Sequence, residues 1–303
     1  MLYTSQSLPS SKISLDNWLL VKVSGQDNSK FLQGQLTADI NKLSDTHWLF
    51  AAQCDPKGKV LSNILLFKRG DDIYYIIRKS LVETQLKELK KYAVFSKISF
   101  EIESSLTMVG IAGDNLSELI PEFSIEQNCL TVGNISYLKL DFPTNRYIVI
   151  APIDEQINQF TTLHQADSEQ WQLLDMESNY PIIDQPLANQ YLPQAFNLQN
   201  FNAISFDKGC YCGQEMVARA QYRGINKRAL YLLIGSSDEL PQIGDGIEQQ
   251  MGENWRETGS ILSTLKIDNH TIWIQVILNN DIEANTVFRV KNSPTSHFII
   301  KSN

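Results

Sequence analysis

Beyond Arg228 the chain changes texture, and that change restricts its fold more than any other feature. Residues 230–234, 259–265, 272–278 and 287–290 each read as a short apolar strand. Turn-forming residues separate them, and nothing between them has convincing helical spacing. Segments of this kind close into a small barrel or stack as a sandwich. Upstream, helices and strands mix. Residues 47–54 and 59–67 flank Asp55-Pro56-Lys57-Gly58, which is turn chemistry, so a hairpin is expected there. Ser80 reads as the cap of an amphipathic helix over 81–92, with Leu81, Leu86 and Leu89 on one side, and a strand follows at 97–103. Helices are also expected over 154–164 and from 167 or 168 to about 178, the second carrying Trp171 and Glu177. The expected class is α+β with an all-β end. At 303 residues, two or three domains are anticipated.

Composition narrows the partners. Against 26 basic residues stand 34 acidic ones, a net charge of −8, which argues against bulk non-specific nucleic-acid binding but leaves room for a local basic face. The first nine residues lack the basic and apolar regions of a signal peptide. No apolar run is long enough to span a bilayer, so no membrane partner is expected. Four cysteines (Cys54, Cys129, Cys210 and Cys212) do not make a disulfide scaffold in a chain of this size, which predicts a reducing, cytoplasmic setting. There is no phosphate-binding loop, dinucleotide fingerprint or nucleophile elbow. The four histidines are scattered without ligand spacing, and no metal site is expected.

The densest chemistry lies in Lys208-Gly209-Cys210-Tyr211-Cys212-Gly213-Gln214-Glu215. An ordinary thiol is only about 3% thiolate at neutral pH. Lys208 and exposed N–H groups around the two glycines would raise that fraction at Cys210. A nucleophile, a redox-active thiol and a transient cluster ligand all remain open. Glu215 is a base, a counter-ion to Lys208 or a solvated charge. Downstream, Arg219, Arg223, Lys227 and Arg228 alternate with Tyr222 and Gly224, which suits either a local anion site or a solvated strand edge.

The signature 208–215, continuing through Met216–Ala220 to Arg223–Arg228, resembles that of the YgfZ family. These are folate-binding, tRNA-modification-associated proteins linked to iron–sulfur cluster upkeep. Phe31–Asp39, Cys54–Lys59 with Ser62 and Asn63, Leu89–Ser96, Tyr191–Ala195 and Asn279–Ile282 resemble family segments too. The family is similar in fold to the aminomethyltransferase of the glycine cleavage system. The resemblance therefore implies three domains around a central hole. Two interleaved α+β domains (1–44 plus 105–178, and 45–104 plus 179–227) precede a β-barrel over 228–303. It places tetrahydrofolate near the centre, with Trp18 and Trp171 against its rings and Glu177 on the pterin N–H groups. The anion site at Arg223 suits a folate glutamate tail or an RNA phosphate. Ser62-Asn63 stands where the aminomethyltransferases carry a catalytic aspartate, so glycine cleavage is not expected. Ser178-Asn179 also departs from the usual Ala-Gly, and Cys212 reads as a small substitute for Thr, Val or Ile.

The function implied is an accessory tetrahydrofolate-binding factor for iron–sulfur-dependent tRNA methylthiolation, with Cys210 as key thiol and no resident metal. The alternatives are a folate-dependent one-carbon transferase using Glu215 or Cys210, and a docking scaffold. Partners would be folate, and iron–sulfur tRNA-modifying enzymes or tRNA through Arg219, Arg223, Lys227 and Arg228. The chain is expected to be a monomer.

Overall fold

A computed structural model describes residues 2–301 except Asn115, Ser117 and Gln156. The chain opens with β1 (Ser11–Ser14), β2 (Trp18–Ser24) and helix α1 (Asn28–Gln35). Next come β3 (Leu49–Cys54), β4 (Val60–Arg69), β5 (Asp72–Arg78), α2 (Val82–Tyr92) and β6 (Ser99–Ile102). Then follow β7 (Leu106–Ala112), β8 (Cys129–Val132), β9 (Ile135–Leu140), β10 (Arg146–Pro152), β11 (His164–Ala166) and α3 (Ser168–Glu177). A long connection of 3-10 turns leads to α4 (Gln214–Arg223). Six strands complete the chain: β12 (Arg228–Ser236), β13 (Gly246–Met251), β14 (Asn254–Lys266), β15 (Ile272–Asn279), β16 (Val287–Val290) and β17 (Ser293–Ile300).

Two open sheets and a barrel result. The first sheet has the order β11-β1-β7-β10-β9-β8, the second β3-β4-β5-β2-β6, and β12-β15-β14-β13-β16-β17 close into the barrel. The class is α+β with an all-β end, as the texture beyond Arg228 predicts, and of the barrel and the sandwich it allows, the chain forms the six-stranded barrel that the family resemblance implies. Closure leaves the barrel no unpaired edge. Its interior is an apolar cluster of its own, with Leu233, Ile274, Phe288 and Phe298 at 0% exposure. The two sheets share one continuous core. Trp18–Ser24 pairs with β5 and β6, so the chain leaves the first sheet after Ser14 and enters the second immediately. Among the described residues no helix is long and apolar enough to cross a membrane.

Two local expectations are corrected. Residues 154–164 do not form an α-helix. A 3-10 turn covers Asn158–Phe160, and His164 already starts β11 (Gln156, in this stretch, lies outside the described residues). Ile157, Phe160 and Leu163 recur every three residues, a spacing that stacks side chains on a 3-10 turn and drifts around an α-helix. Ser80 does not cap α2. Its hydroxyl donates to Asp184, and a 3-10 turn at Lys79–Leu81 leads into the helix.

Helix α3 organises the middle of the molecule because both its sides are buried. Leu173 and Met176 pack on Leu232, Leu265 and Trp273 of the barrel. The opposite face sets the Trp171 ring against β7 at Gly110, where an added Cβ would come within 2.5 Å of the indole. Glycine is needed there to let the ring approach the backbone.

Candidate functional site

Residues 171 and 175 are one helical turn apart and face the same way. They form one wall of a cavity between the two sheets, opposite Trp18, Asn63, Arg78 and Tyr180. β2 and β5 set Trp18 directly across from Arg78, whose guanidinium lies 4.8 Å from the indole centroid. Arg78 is held by Asp184, to which Nε and Nη2 donate at 3.2 and 2.7 Å. From β10, Arg146 is wholly buried, 4.4 Å from the Trp171 ring, and donates through Nη2 to Asp175 at 2.7 Å and through Nε to the Phe142 carbonyl at 2.9 Å. Burial raises the Asp175 carboxyl pKa, and the Arg146 charge opposes that rise. Tyr180, half-buried beside Asp175, has its phenol pushed far up by desolvation and is a neutral hydroxyl at any ordinary pH.

Each indole thus has a cation over one face, and the remaining wall is apolar. Three buried polar atoms in or beside this cavity have no partner: Asn63 Oδ1, Arg78 Nη1 and Arg146 Nη1. A buried polar atom without a partner costs about 1–3 kcal/mol, so a group of them signals a missing ligand or water. Two are donors and one is an acceptor. That set complements a flat heterocycle presenting two acceptors, such as a carbonyl and a ring nitrogen, beside an N–H, and a pterin carries all three. The enclosed space is about 40 Å³, room for about one to three waters. A bicyclic ring therefore enters by moving a wall side chain. Arg78, held by Asp184 and lying over the Trp18 ring, is the wall side chain whose outward movement would widen the space.

Sequence reasoning named Trp18 and Trp171, and the structure brings them to one cavity. Glu177 lies elsewhere. Its Oε2 accepts from the Ser5 backbone N–H and its Oε1 from the Ser5 hydroxyl, both at 2.8 Å. Two residues along a helix turn about 200°, so Glu177 faces the N-terminal segment while Asp175 faces the cavity. Asn63, singled out as a departure, is in the wall, with Nδ2 donating to the Pro181 carbonyl at 2.9 Å. Arg78, Arg146, Asp175 and Tyr180 were missed. The signal available was a single charge inside an apolar run, as in Arg146-Tyr-Ile-Val-Ile-Ala and Leu-Leu-Asp175-Met, since charges are rarely fully buried unless paired.

No residue of the 208–215 loop lines this cavity. Lys208 turns inward, and its ammonium donates to the carbonyls of Gln33, Leu36 and Ala38 at 2.6, 2.7 and 2.7 Å. All three N–H groups are therefore engaged at the C-terminal end of α1, where a cation also suits the helix dipole. Burial lowers its pKa to about 8, and Asp39 partly restores it. Glu215 pairs with Arg219 one turn on, not with Lys208. Gly213, at φ +81°, caps α4 and packs against the β3–β4 turn, where an added Cβ would lie 2.5 Å from the Asp55 oxygen. Residues 214–223 form a helix instead of the strand edge weighed from sequence, so Arg219 and Arg223 stand on α4 and Lys227 and Arg228 lead into β12. Arg223 and Lys227 are exposed, and Arg228 donates to the Thr258 carbonyl.

The two neighbouring thiols differ in setting. Cys210 is exposed, whereas Cys212 is half-buried beside the Tyr92 hydroxyl, with its backbone N–H on the Gly34 carbonyl at 3.1 Å. Burial raises the Cys212 thiol pKa, raises Cys54 far above it, and pushes Cys129 up to about 12. Thiolate is the reactive form. Native protein treated with iodoacetamide at neutral pH is therefore expected to show one fast-reacting thiol, absent from Cys210→Ser. A second thiol reacting equally fast would place Cys212 at the surface. Among the described residues, no three His, Cys, Asp or Glu side chains gather as a metal site.

Comparison with known proteins gives concordant matches. A family profile described as the YgfZ β-barrel domain matches residues 226–293. The tRNA-modifying protein YgfZ of Yersinia pestis (strain Pestoides F) is 45% identical over 297 residues, covering 95% of this chain and 90% of the relative. That of Photorhabdus laumondii is 44% identical with the same coverage. Among solved structures, the glycine cleavage system aminomethyltransferase T of Bartonella henselae superposes with a TM-score of 0.74 at 10% identity, covering 97% of this chain and 85% of that one. That last likeness is one of fold.

Proposed function

Because the chain belongs to the YgfZ family, we propose that it binds a reduced folate in the cavity between its sheets and supports tRNA modification. The observation that carries the folate reading is the cavity itself, two indoles with unpartnered donors and an acceptor between them. Trp18 and Trp171 would hold the pterin faces by stacking and dispersion. Asp175 and Asn63 Oδ1 would accept from its N–H groups, and Arg78 Nη1 would donate to its carbonyl. Tetrahydrofolate supplies a one-carbon carrier or a reductant to whatever chemistry follows.

The protein's own part is binding and presentation. Asn63 is an amide, which neither takes nor gives a proton near neutral pH, and the Asp175 carboxylate would be held on one side by Arg146 and on the other by the pterin N–H groups. The cavity therefore lacks a free acid–base group of the kind aminomethyl transfer needs, which favours an accessory factor over a transferase. Cys210, exposed and away from the cavity, is the thiol offered to a partner in iron–sulfur-dependent methylthiolation. The cations on α4 and at the start of β12 face that partner or the tRNA. The protein acts as a monomer in the cytoplasm.

One experiment with two readouts tests this. Titration of tetrahydrofolate or 5-formyltetrahydrofolate into the protein should quench tryptophan fluorescence. Trp18→Ala and Asn63→Ala should each weaken binding by about tenfold, the equivalent of about 1.4 kcal/mol. In a strain lacking the native gene, the double variant should fail to restore methylthiolated tRNA nucleosides. Unchanged folate affinity in both single variants would remove the cavity as the binding site.

A further inference from the structure

The last turns of α2, the β3–β4 turn and α4 meet around the 208–215 loop. Two contacts define the meeting. The Tyr92 hydroxyl lies against the Cys212 thiol, and Gly213 packs on the backbone of Asp55 and Gly58. Cys210 is exposed on the loop that joins these elements.

This surface differs from the chain's acidic average. Lys57, Lys87, Lys90 and Arg223 are exposed here and take part in none of the ion pairs formed among the described residues. Of the carboxylates on these elements, Glu88 and Glu215 are paired with Lys91 and Arg219, and Asp55 accepts from the Lys57 and Lys59 N–H groups of its own turn. The same elements carry exposed aromatic rings: Phe95, just past α2, is 99% exposed, Tyr222 on α4 71% and Tyr92 47%. A phenyl ring wholly in solvent forgoes the favourable free energy of burial, and nothing in the fold gains from leaving it there. Free cations and exposed flat rings are the two components of single-strand recognition, phosphate neutralisation and base stacking. An acidic protein would satisfy the cations without using the exposed flat rings, which bases cover by stacking.

Building on the tRNA-directed reading above, we propose that this surface binds an unpaired segment of RNA. Bases stack on Phe95 and Tyr92, and phosphates lie on Lys57, Lys90 and Arg223, so that the strand passes Cys210. The segment is unpaired because side-chain rings reach base faces only where bases are splayed out of a helix. The site is separate from the cavity, so RNA and folate can occupy the protein together.

Fluorescence anisotropy on the full chain tests this, using a fluorescein-labelled RNA stem-loop with an open loop and the same stem as a closed duplex. The stem-loop should bind more tightly than the duplex, with an affinity that falls as salt rises. Phe95→Ala should weaken stem-loop binding by about tenfold, as expected for losing one stacked base, and leave duplex binding unchanged. Lys90→Glu with Arg223→Glu should weaken both RNAs and flatten the salt dependence. Equal stem-loop affinity in wild type and Phe95→Ala would overturn the proposal, as would salt-independent binding. Loss of tRNA modification in cells carrying Phe95→Ala with RNA affinity intact would assign the surface to a protein partner and also overturn it. Folate titration of the same variants keeps the two readings apart, because a protein that binds folate but no RNA loses only this inference.

Discussion

Replacing Arg146 by methionine is expected to destabilise the protein by about 3–5 kcal/mol, the range for removing one partner of a buried ion pair. Arg146 is at 0% exposure and Asp175 at 4%, and their 2.7 Å bond is the pair's direct link. The single change leaves the Asp175 carboxylate in an apolar interior with its countercharge gone. It then either stays charged at high cost or takes up a proton. Removing both charges should behave differently, because well-packed apolar replacements of buried pairs are often neutral or stabilising. Arg146→Met combined with Asp175→Leu should recover most of the lost stability in urea titrations while still failing to bind reduced folate. That split separates holding the fold from presenting a carboxylate to a ligand. If the single variant unfolds at the wild-type midpoint, Arg146 and Asp175 are not the coupled pair described.

Lys208→Met should cost nearly as much, about 3 kcal/mol or more, since three buried carbonyls lose a charged donor at once. Gln33, Leu36 and Ala38 present those carbonyls to a single ammonium, a convergence that the flat fork of arginine cannot reproduce. Lys208→Arg is therefore expected to rescue poorly. The tether also places the thiol loop, because Cys210 follows two residues later. Hydrogen exchange should accelerate in residues 34–38 and 208–213 of Lys208→Met, with the barrel unaffected. Exchange unchanged in both segments would show that the ammonium is not what holds the loop.

Lys208 shows why spacing alone misleads at such a site. A lysine two residues from a cysteine suggests an activating cation, and only the course of the backbone reveals where its ammonium goes. The same holds for Glu215, whose nearest cation is set by helix periodicity once α4 exists. Glu177 and Asp175 sit in one helix two residues apart, and a rotation of about 200° decides which meets the cavity and which meets Ser5. The tryptophans were easier to place. An indole has few stable positions other than a core or a ligand wall, and a family likeness over most of the chain indicated the second.

What the sequence determined by itself was local and periodic. It marked an all-β ending beyond Arg228, the hairpin around Asp55–Gly58, the helix ending at Tyr92 and the signature around Cys210. Each depends on hydrophobic spacing or turn chemistry within a few residues, and such information survives without coordinates. The tertiary structure alone decided which charges are buried together, which face of α3 meets the cavity, and that Lys208 and Cys210 part company. It also decided that the cavity and the thiol loop are different places. Those outcomes depend on contacts between residues as far apart in the chain as Arg78 and Asp184, or Gln33 and Lys208. Their energies are set by desolvation and direction, neither of which spacing along a chain records.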